Sequence, residues 1–282
     1  MVSKLIALDI DGTLTAHIDH IPKEVIDYLH KLHSKGYNLL FITGRSFSFA
    51  AEILKDMSCP FHLAVQNGAD LMSMPGSIHQ HSLYLSKAVV QELSDFCDLH
   101  GEEFILYAGH KSGDSCYYRH DRLSADMRDL FDTWSKKLPA PWKSMKQIAD
   151  LSEDSFPLFK IIGKMERLVP LLQKIRSDGI ETALISAPSS SGLGLLMVTH
   201  PQVNKGRMVK VLAEKLGVAP EHVVAAGDDY NDHSMLKIAG FSIAMGSAPQ
   251  ELKDLAHFVA PPATELGILH GLFAATTIHH QH

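Results

Sequence analysis

The chain has 282 residues, with 26 Lys and Arg against 32 Asp and Glu and a net charge of −6, a balance that speaks against nucleic acid or an anionic membrane surface as a partner. Hydrophobic residues make up 45% and charged residues 21%, which excludes a disordered chain and supplies enough apolar surface for two domains. Three scattered cysteines, Cys59, Cys97 and Cys116, form neither a disulfide framework nor a CxxC metal site. No apolar run approaches the length of a membrane span, and the apolar start meets Asp9 too early for a signal peptide. The expectation is a cytoplasmic protein, monomeric or a small homo-oligomer. The C-terminal HHQH reads as a frayed end.

The first element is a buried strand, because Leu5, Ile6, Ala7, Leu8 and Ile10 leave no solvent face. Asp9 and Asp11 therefore stand at its C-terminal end, where an open parallel sheet places its ligands. Two carboxylates there repel one another, and a hard divalent cation with oxygen ligands is the simplest remedy. Gly12 lets backbone N–H groups turn inward around an anion. A helix follows, with Ile21, Val25, Ile26, Leu29 and Leu32 at helical spacing, Pro22 near its start and Gly36 past its end. The second strand, Tyr37 to Thr43, ends in Thr43-Gly44-Arg45-Ser46. Another helix, with Phe47, Ala50, Ala51 and Leu54 inward, leads to a third strand, His62 to Val65, which ends in Gln66-Asn67-Gly68. Strand alternating with helix is the doubly wound pattern, with right-handed crossovers.

The pattern changes after about Leu71. Met74-Pro75-Gly76-Ser77 is turn chemistry, and His79 to Ser82 has no periodicity, so His79 and His81 read as loop residues rather than metal ligands. Next come a helix through Val90, Leu93 and Cys97, strands near Glu103 to Ala108 and Ser115 to His120, and a helix through Leu123, Met127, Leu130 and Phe131. Loop signals at Pro139 and Pro141 precede a strand at Pro157 to Ile162, a helix through Leu171 and Ile175, and strands at Thr182 to Ser186 and Leu193 to Thr199. Paired strands mixed with helices predict an α+β insert at 83–199, between core segments 1–82 and 200–282.

The doubly wound pattern then resumes. Asn204-Lys205-Gly206 opens a helix closed by Gly217, and the strand His222 to Ala226 ends in Gly227-Asp228-Asp229-Tyr230-Asn231-Asp232. Two short strands, Phe241 to Met245 and His257 to Val259, complete a predicted sheet of about six strands. A lysine at a helix start is electrostatically odd, and an anion beside Lys205 would explain it.

In this order and spacing, DIDGT (Asp9 to Thr13), ITGR (Ile42 to Arg45), the lysine of NKG (Lys205) and GDDYND (Gly227 to Asp232) resemble the haloacid dehalogenase superfamily of phosphotransferases. The insert is similar to the larger cap of the Cof-type subfamily, and in the core QNGA (Gln66 to Ala69) and AMGSAP near the C-terminus also resemble that family. One departure is Thr264-Glu265-Leu266-Gly267, where many relatives carry an acidic residue before glycine, and no role is assigned there.

The resemblance implies a mostly parallel, Rossmann-like α/β core with an inserted cap, and a Mg²⁺-dependent phosphatase of small phosphorylated metabolites. It implies Asp9 as nucleophile, giving an aspartyl phosphate. It places Mg²⁺ on Asp9, the Asp11 backbone carbonyl and Asp228, with Asp232 as a ligand or steadying a metal-bound water. Asp11 becomes the general acid and base. Thr43 and Lys205, with backbone N–H groups near Gly12 and Gly44, hold the phosphoryl oxygens, and Arg45, Asn67 and Asn231 support them. Arg119, His120 or the Ser189-Ser190-Ser191 loop of the insert are candidates to face the leaving group. Two other readings fit the same residues: a phosphomutase of this fold, and a non-catalytic phospholigand sensor, which the presence of all four aspartates disfavours.

Overall fold

A computed structural model describes residues 3–137, 140–177, 181–186 and 192–278. The Ser189-Ser190-Ser191 loop, Pro139 and the C-terminal HHQH lie outside the described residues. In chain order the elements begin with β1 (Lys4–Leu8), α1 (Lys23–Ser34), β2 (Tyr37–Ile42), α2 (Phe47–Ile53), β3 (Phe61–Val65), β4 (Asp70–Met74) and β5 (Ile78–Ser82). They continue with β6 (Leu85–Ser86), α3 (Lys87–His100), β7 (Glu103–Tyr107), β8 (Cys116–Tyr118), α4 (Ala125–Lys137), β9 (Trp142–Ser144), β10 (Ser155–Phe156), β11 (Leu158–Lys164), α5 (Met165–Ser177), β12 (Glu181–Ser186) and β13 (Leu193–Thr199). The last are α6 (Lys205–Leu216), β14 (Val223–Gly227), α7 (His233–Ile238), β15 (Phe241–Met245), α8 (Gln250–Leu255), β16 (Phe258–Ala260) and α9 (Gly267–Ile278). Among the described residues no helix is long and apolar enough to cross a membrane.

The chain divides into two compact units. One comprises the described residues up to Arg45, Ala50–His81, and those from Asn204 onward; the other comprises Ser46–Phe49 and Ser82–Val203. The first unit is built on an eight-stranded sheet in the order β16-β15-β14-β1-β2-β3-β4-β5. Its six strands from β16 to β3 run parallel. Helices cover such a sheet on both faces, which is why its strands are continuous apolar runs. Leu5, Ala7, Leu40, Ile42, Val223 and Ala225 pack with Met208, Val209 and Leu212 of α6 and with Met235 and Leu236 of α7.

The sheet has two strands more than the sequence predicts. β4 folds back antiparallel on β3, with Val65 opposite Asp70 and Phe61 opposite Met74, and β5 joins β4 at the edge. His79 and His81 thus lie in a strand and not in a loop. An edge strand needs backbone pairing more than a buried face, so IHQHS carries no apolar alternation to reveal it. His79 Nε2 stands 3.1 Å from the buried Asp70 carboxylate.

The second unit has a six-stranded sheet in the order β12-β13-β11-β7-β8-β9, antiparallel except for β8 with β9, and a two-stranded pair, β10 with β6. Alternation along the strands gives it two apolar faces. Phe104, Leu106, Phe159 and Ile161 pack with Val90, Leu93 and Cys97 of α3 and with Leu168 and Leu171 of α5. Ile105, Tyr107, Leu158, Ile162 and Met197 gather on the other face with Leu123 and Phe131. The strands β6, β9 and β10 were not foreseen, since two or three residues carry no measurable period.

Candidate active site

Parallel strands bring their C-terminal ends to one edge, and register decides which residues meet there. Leu8 pairs with Ala226 of β14 on one side and with Phe41 of β2 on the other. Asp9, Thr43 and Asp228 each follow their strand by one residue. The Asp9 N–H donates to the Ala226 carbonyl at 3.0 Å, carrying the pairing one step beyond β1.

Asp9, Asp228 and Asp232 each bring a carboxylate oxygen to within 4.8 Å of the others. Lys205, at the start of α6, reaches into this group: Nζ donates to Asp9 Oδ1 at 2.5 Å and to Asp232 Oδ1 at 2.6 Å, with no part of its side chain exposed. The odd placement of a cation at a helix start is thereby resolved, because two carboxylates outweigh the unfavourable helix dipole. Asp232 Oδ2 accepts from the N–H groups of Asp228 at 2.9 Å and Asp229 at 3.1 Å, so both of its oxygens are held by the protein. Thr13 Oγ1 donates to Asp228 Oδ1 at 3.4 Å. Gly12 has a φ of +74°, and a Cβ on it would collide with Asp228 Oδ2, so only glycine lets this turn approach the cluster. A Cβ on Gly227 would likewise collide with Asp232.

Three buried or half-buried carboxylates share one ammonium, and their acidities register the deficit. Burial pushes the Asp9 carboxyl well above the usual carboxylate range; Lys205 opposes this, and Asp232, Asp228 and Asp11 add to it. Asp228 is pushed up to about 7 by burial and then by the charge of Asp232, again against Lys205. For Lys205, burial works against the charged form, but Asp232 and Asp9 outweigh it and raise its pKa above that of an ordinary lysine. A hard divalent cation fits this donor set: the ligands are oxygens only, and the group is short of positive charge.

The Asp11 carboxylate stands apart from that group. Arg45 forks onto it, Nε donating to Oδ2 at 2.9 Å and Nη2 to Oδ1 at 2.6 Å, and the Asp11 side chain is 53% exposed while that of Arg45 is buried. Thr43 is buried, its Oγ1 accepting from the Arg45 N–H at 3.1 Å and its carbonyl from the Asn67 N–H at 2.8 Å. Gly44 lies between these two residues. Asn67 Oδ1 accepts from Asn231 Nδ2 at 3.2 Å, joining the ends of β3 and β14. Of the residues singled out in the sequence, Asp9, Lys205, Asp228 and Asp232 form one group, and Asp11 with Arg45 a second. Thr43, Asn67 and Asn231 brace the strand ends.

Sequence reasoning gave no role to Thr13, Gln66 or Ser234. Thr13 lies inside the DIDGT run, so its signal was present. Ser234 Oγ accepts from the Gly206 N–H at 2.9 Å, fixing α6 and hence Lys205, a contact over 28 residues that no local pattern announces. Gln66 adopts a φ of +52°, and its N–H donates to the Arg45 carbonyl at 2.9 Å.

The fold and this edge define a doubly wound α/β protein with an acidic, oxygen-donor centre at the ends of its parallel strands. A family profile of haloacid dehalogenase-like hydrolases matches residues 6–272. The chain belongs to that family, in its Cof-type branch, and is a phosphoric monoester hydrolase. It is 28% identical over 261 residues to the HMP-PP phosphatase of Cronobacter sakazakii, covering 91% of this chain and 89% of that one. A haloacid dehalogenase-like hydrolase from Bacteroides thetaiotaomicron superposes with a TM-score of 0.77 at 24% identity, over 98% of this chain and 99% of the other. The HAD subclass IIB sugar phosphatase BT4131 superposes with a TM-score of 0.75 at 22% identity, over 99% and 98%.

Proposed function

We propose that this hydrolase is a Mg²⁺-dependent phosphatase of small phosphorylated metabolites, with Asp9 as the nucleophile. The observation that carries the reading is the Lys205 ammonium locked between Asp9 and Asp232 beside Asp228, a charge-deficient centre at the ends of β1 and β14. Asp9, Asp228 and the Asp11 backbone carbonyl would hold Mg²⁺, which would supply positive charge against the phosphoryl oxygens.

The remaining chemistry belongs to the chain. An Asp9 carboxylate oxygen attacks phosphorus, the bond from phosphorus to the leaving oxygen breaks, and Asp11 protonates that oxygen. Asp11 then takes a proton from the water that attacks phosphorus, which frees Asp9 and inorganic phosphate. To serve in these steps Asp11 exchanges the Arg45 fork for the leaving oxygen. Lys205, the Thr43 hydroxyl and N–H groups near Gly12 and Gly44 hold the phosphoryl oxygens. Asp232, with both oxygens already engaged, steadies Lys205 and the Asp228 turn. Arg45, Asn67 and Asn231 keep the strand ends in place. The insert at 83–199 is a cap that selects the substrate, since every residue assigned to the chemistry lies outside it.

The relatives act, by name, on HMP-PP and on sugar phosphates, and small phosphorylated metabolites are the substrate class assigned here. The test is phosphate release from a generic aryl phosphate with and without Mg²⁺, followed by a panel of phosphorylated metabolites. Turnover that requires the metal is expected. Equal release with and without it, or no release from any phosphomonoester, would overturn the reading.

A further inference from the structure

Gln66 follows β3 directly at the strand-end edge of the first unit, in the turn whose next residue, Asn67, is joined to Asn231. Two observations set it apart. Its φ is +52°, a left-handed conformation that a residue with a side chain adopts at a cost. Its side chain is wholly buried, and neither Nε2 nor Oε1 has a hydrogen-bond partner among the described residues. No other described residue has two buried side-chain polar atoms left in this way. A buried amide with neither donor nor acceptor engaged carries a desolvation cost that packing does not explain.

The backbone of this turn is tied to the segment that carries Arg45. The Gln66 N–H donates to the Arg45 carbonyl at 2.9 Å, and the Asn67 N–H to the Thr43 carbonyl at 2.8 Å. The Arg45 side chain is itself only 4% exposed, and its fork on Asp11 is the contact that Asp11 gives up to protonate the leaving oxygen. Giving it up strips two charge-assisted hydrogen bonds from a guanidinium that water hardly reaches. An acceptor within the protein lowers that cost, and Gln66 Oε1 is a buried acceptor one backbone hydrogen bond away from Arg45. Being neutral, it is weaker than a carboxylate, so the fork on Asp11 remains the resting arrangement. We propose that Gln66 is a positioning residue that accepts the Arg45 guanidinium when Asp11 turns to the leaving group, and so sets how readily the acid is released. This rests on the phosphatase reading above and adds a residue to its proton-transfer step.

The experiment uses the full chain and two substrates that differ in their need for an acid: glycerol 2-phosphate, whose alkoxide leaves only with a proton, and 4-nitrophenyl phosphate, whose phenolate leaves without one. The ratio kcat/KM reads the steps up to departure of that group. Gln66→Met keeps an unbranched side chain and removes the amide. It should lower kcat/KM for glycerol 2-phosphate by about tenfold or more, the weight of a hydrogen bond to a charged group, and leave 4-nitrophenyl phosphate nearly unchanged. Gln66→Glu, which keeps an acceptor oxygen, should spare the alkyl ester. Equal loss on both esters, no loss on either, or a Gln66→Glu variant as impaired as Gln66→Met would overturn the proposal. Thermal unfolding without metal gives a reading independent of turnover. In the wild-type background Gln66→Met should hold or raise Tm, since an unpaired buried amide is removed. In an Asp11→Ala background, where the fork is lost and the guanidinium turns to Gln66, the same substitution should lower Tm by about 3 °C or more. An equal change in both backgrounds would overturn the proposal. If the wild type hydrolyses no phosphomonoester, the phosphatase reading has failed by itself, and these melts alone decide whether Gln66 receives Arg45.

Discussion

Asp9 and Asp11 are two positions apart, yet one is buried against Lys205 and the other is clamped by Arg45 at the surface. The division has separate consequences for the two carboxylates. Asp9→Asn should abolish turnover while the fold persists, because an amide is no nucleophile and Lys205 keeps Asp232; a phosphate-release assay beside a thermal melt checks this, and near-wild-type turnover would remove Asp9 from its role. Asp11→Asn should lower turnover by about 10² to 10⁴, the usual weight of a general acid and base. Its Mg²⁺ affinity by calorimetry should hardly move, since the carboxylate lies outside the acidic group. A collapse of metal binding would make Asp11 a side-chain ligand. The pattern DxD in the sequence announced two acids at a strand end, but not which would be buried. That depended on Lys205 and Arg45, which stand 196 and 34 positions from their partners.

At the scale of elements, the start of α6 shows how a helix is placed to serve a strand edge. Asn204 caps it by accepting from the Arg207 N–H at 2.8 Å, Gly217 ends it in a left-handed conformation, and Met208, Val209 and Leu212 seat it on the sheet. Lys205 is thereby fixed where Asp9 and Asp232 meet. Lys205→Met would leave two buried carboxylates without their cation, and breaking a buried pair in this way costs about 3–5 kcal/mol. Thermal unfolding in the absence of metal should show the loss, and Mg²⁺ should recover part of it by replacing the missing charge; an unchanged Tm would mean that the ammonium contributes nothing to the fold. The strands and helices that carry these residues were legible because both-face burial writes continuous apolar runs and amphipathic helices write a period. The addition of β4, antiparallel to β3, and of β5 at the edge was not, since Ile78–Ser82 is mostly polar with no buried residue, and its place is set by backbone pairing that leaves no trace in side-chain pattern.

For the molecule as a whole, the doubly wound order was readable from strands alternating with helices, while the faces of the insert's sheet had to be seen, because they depend on pairings such as Phe159 with Leu106 and Val198. The two units have separate apolar cores. The cluster of Leu5, Leu40, Met208 and Met235 draws only on the first unit, and those of Phe104 with Phe159 and of Tyr107 with Phe131 only on the second. A unit that keeps its own core can keep its fold when a neighbour is removed. Replacing residues 83–199 by a short glycine-serine linker should therefore leave a cooperatively folding core that retains Asp9, Asp11, Thr43, Lys205, Asp228 and Asp232. With those residues present it should still hydrolyse a small aryl phosphate in the presence of Mg²⁺. Its kcat/KM values across a panel of phosphorylated metabolites should converge. If the shortened protein folds and preserves the parent's ranking of substrates, selection resides in the core loops, and the role assigned to the insert is wrong.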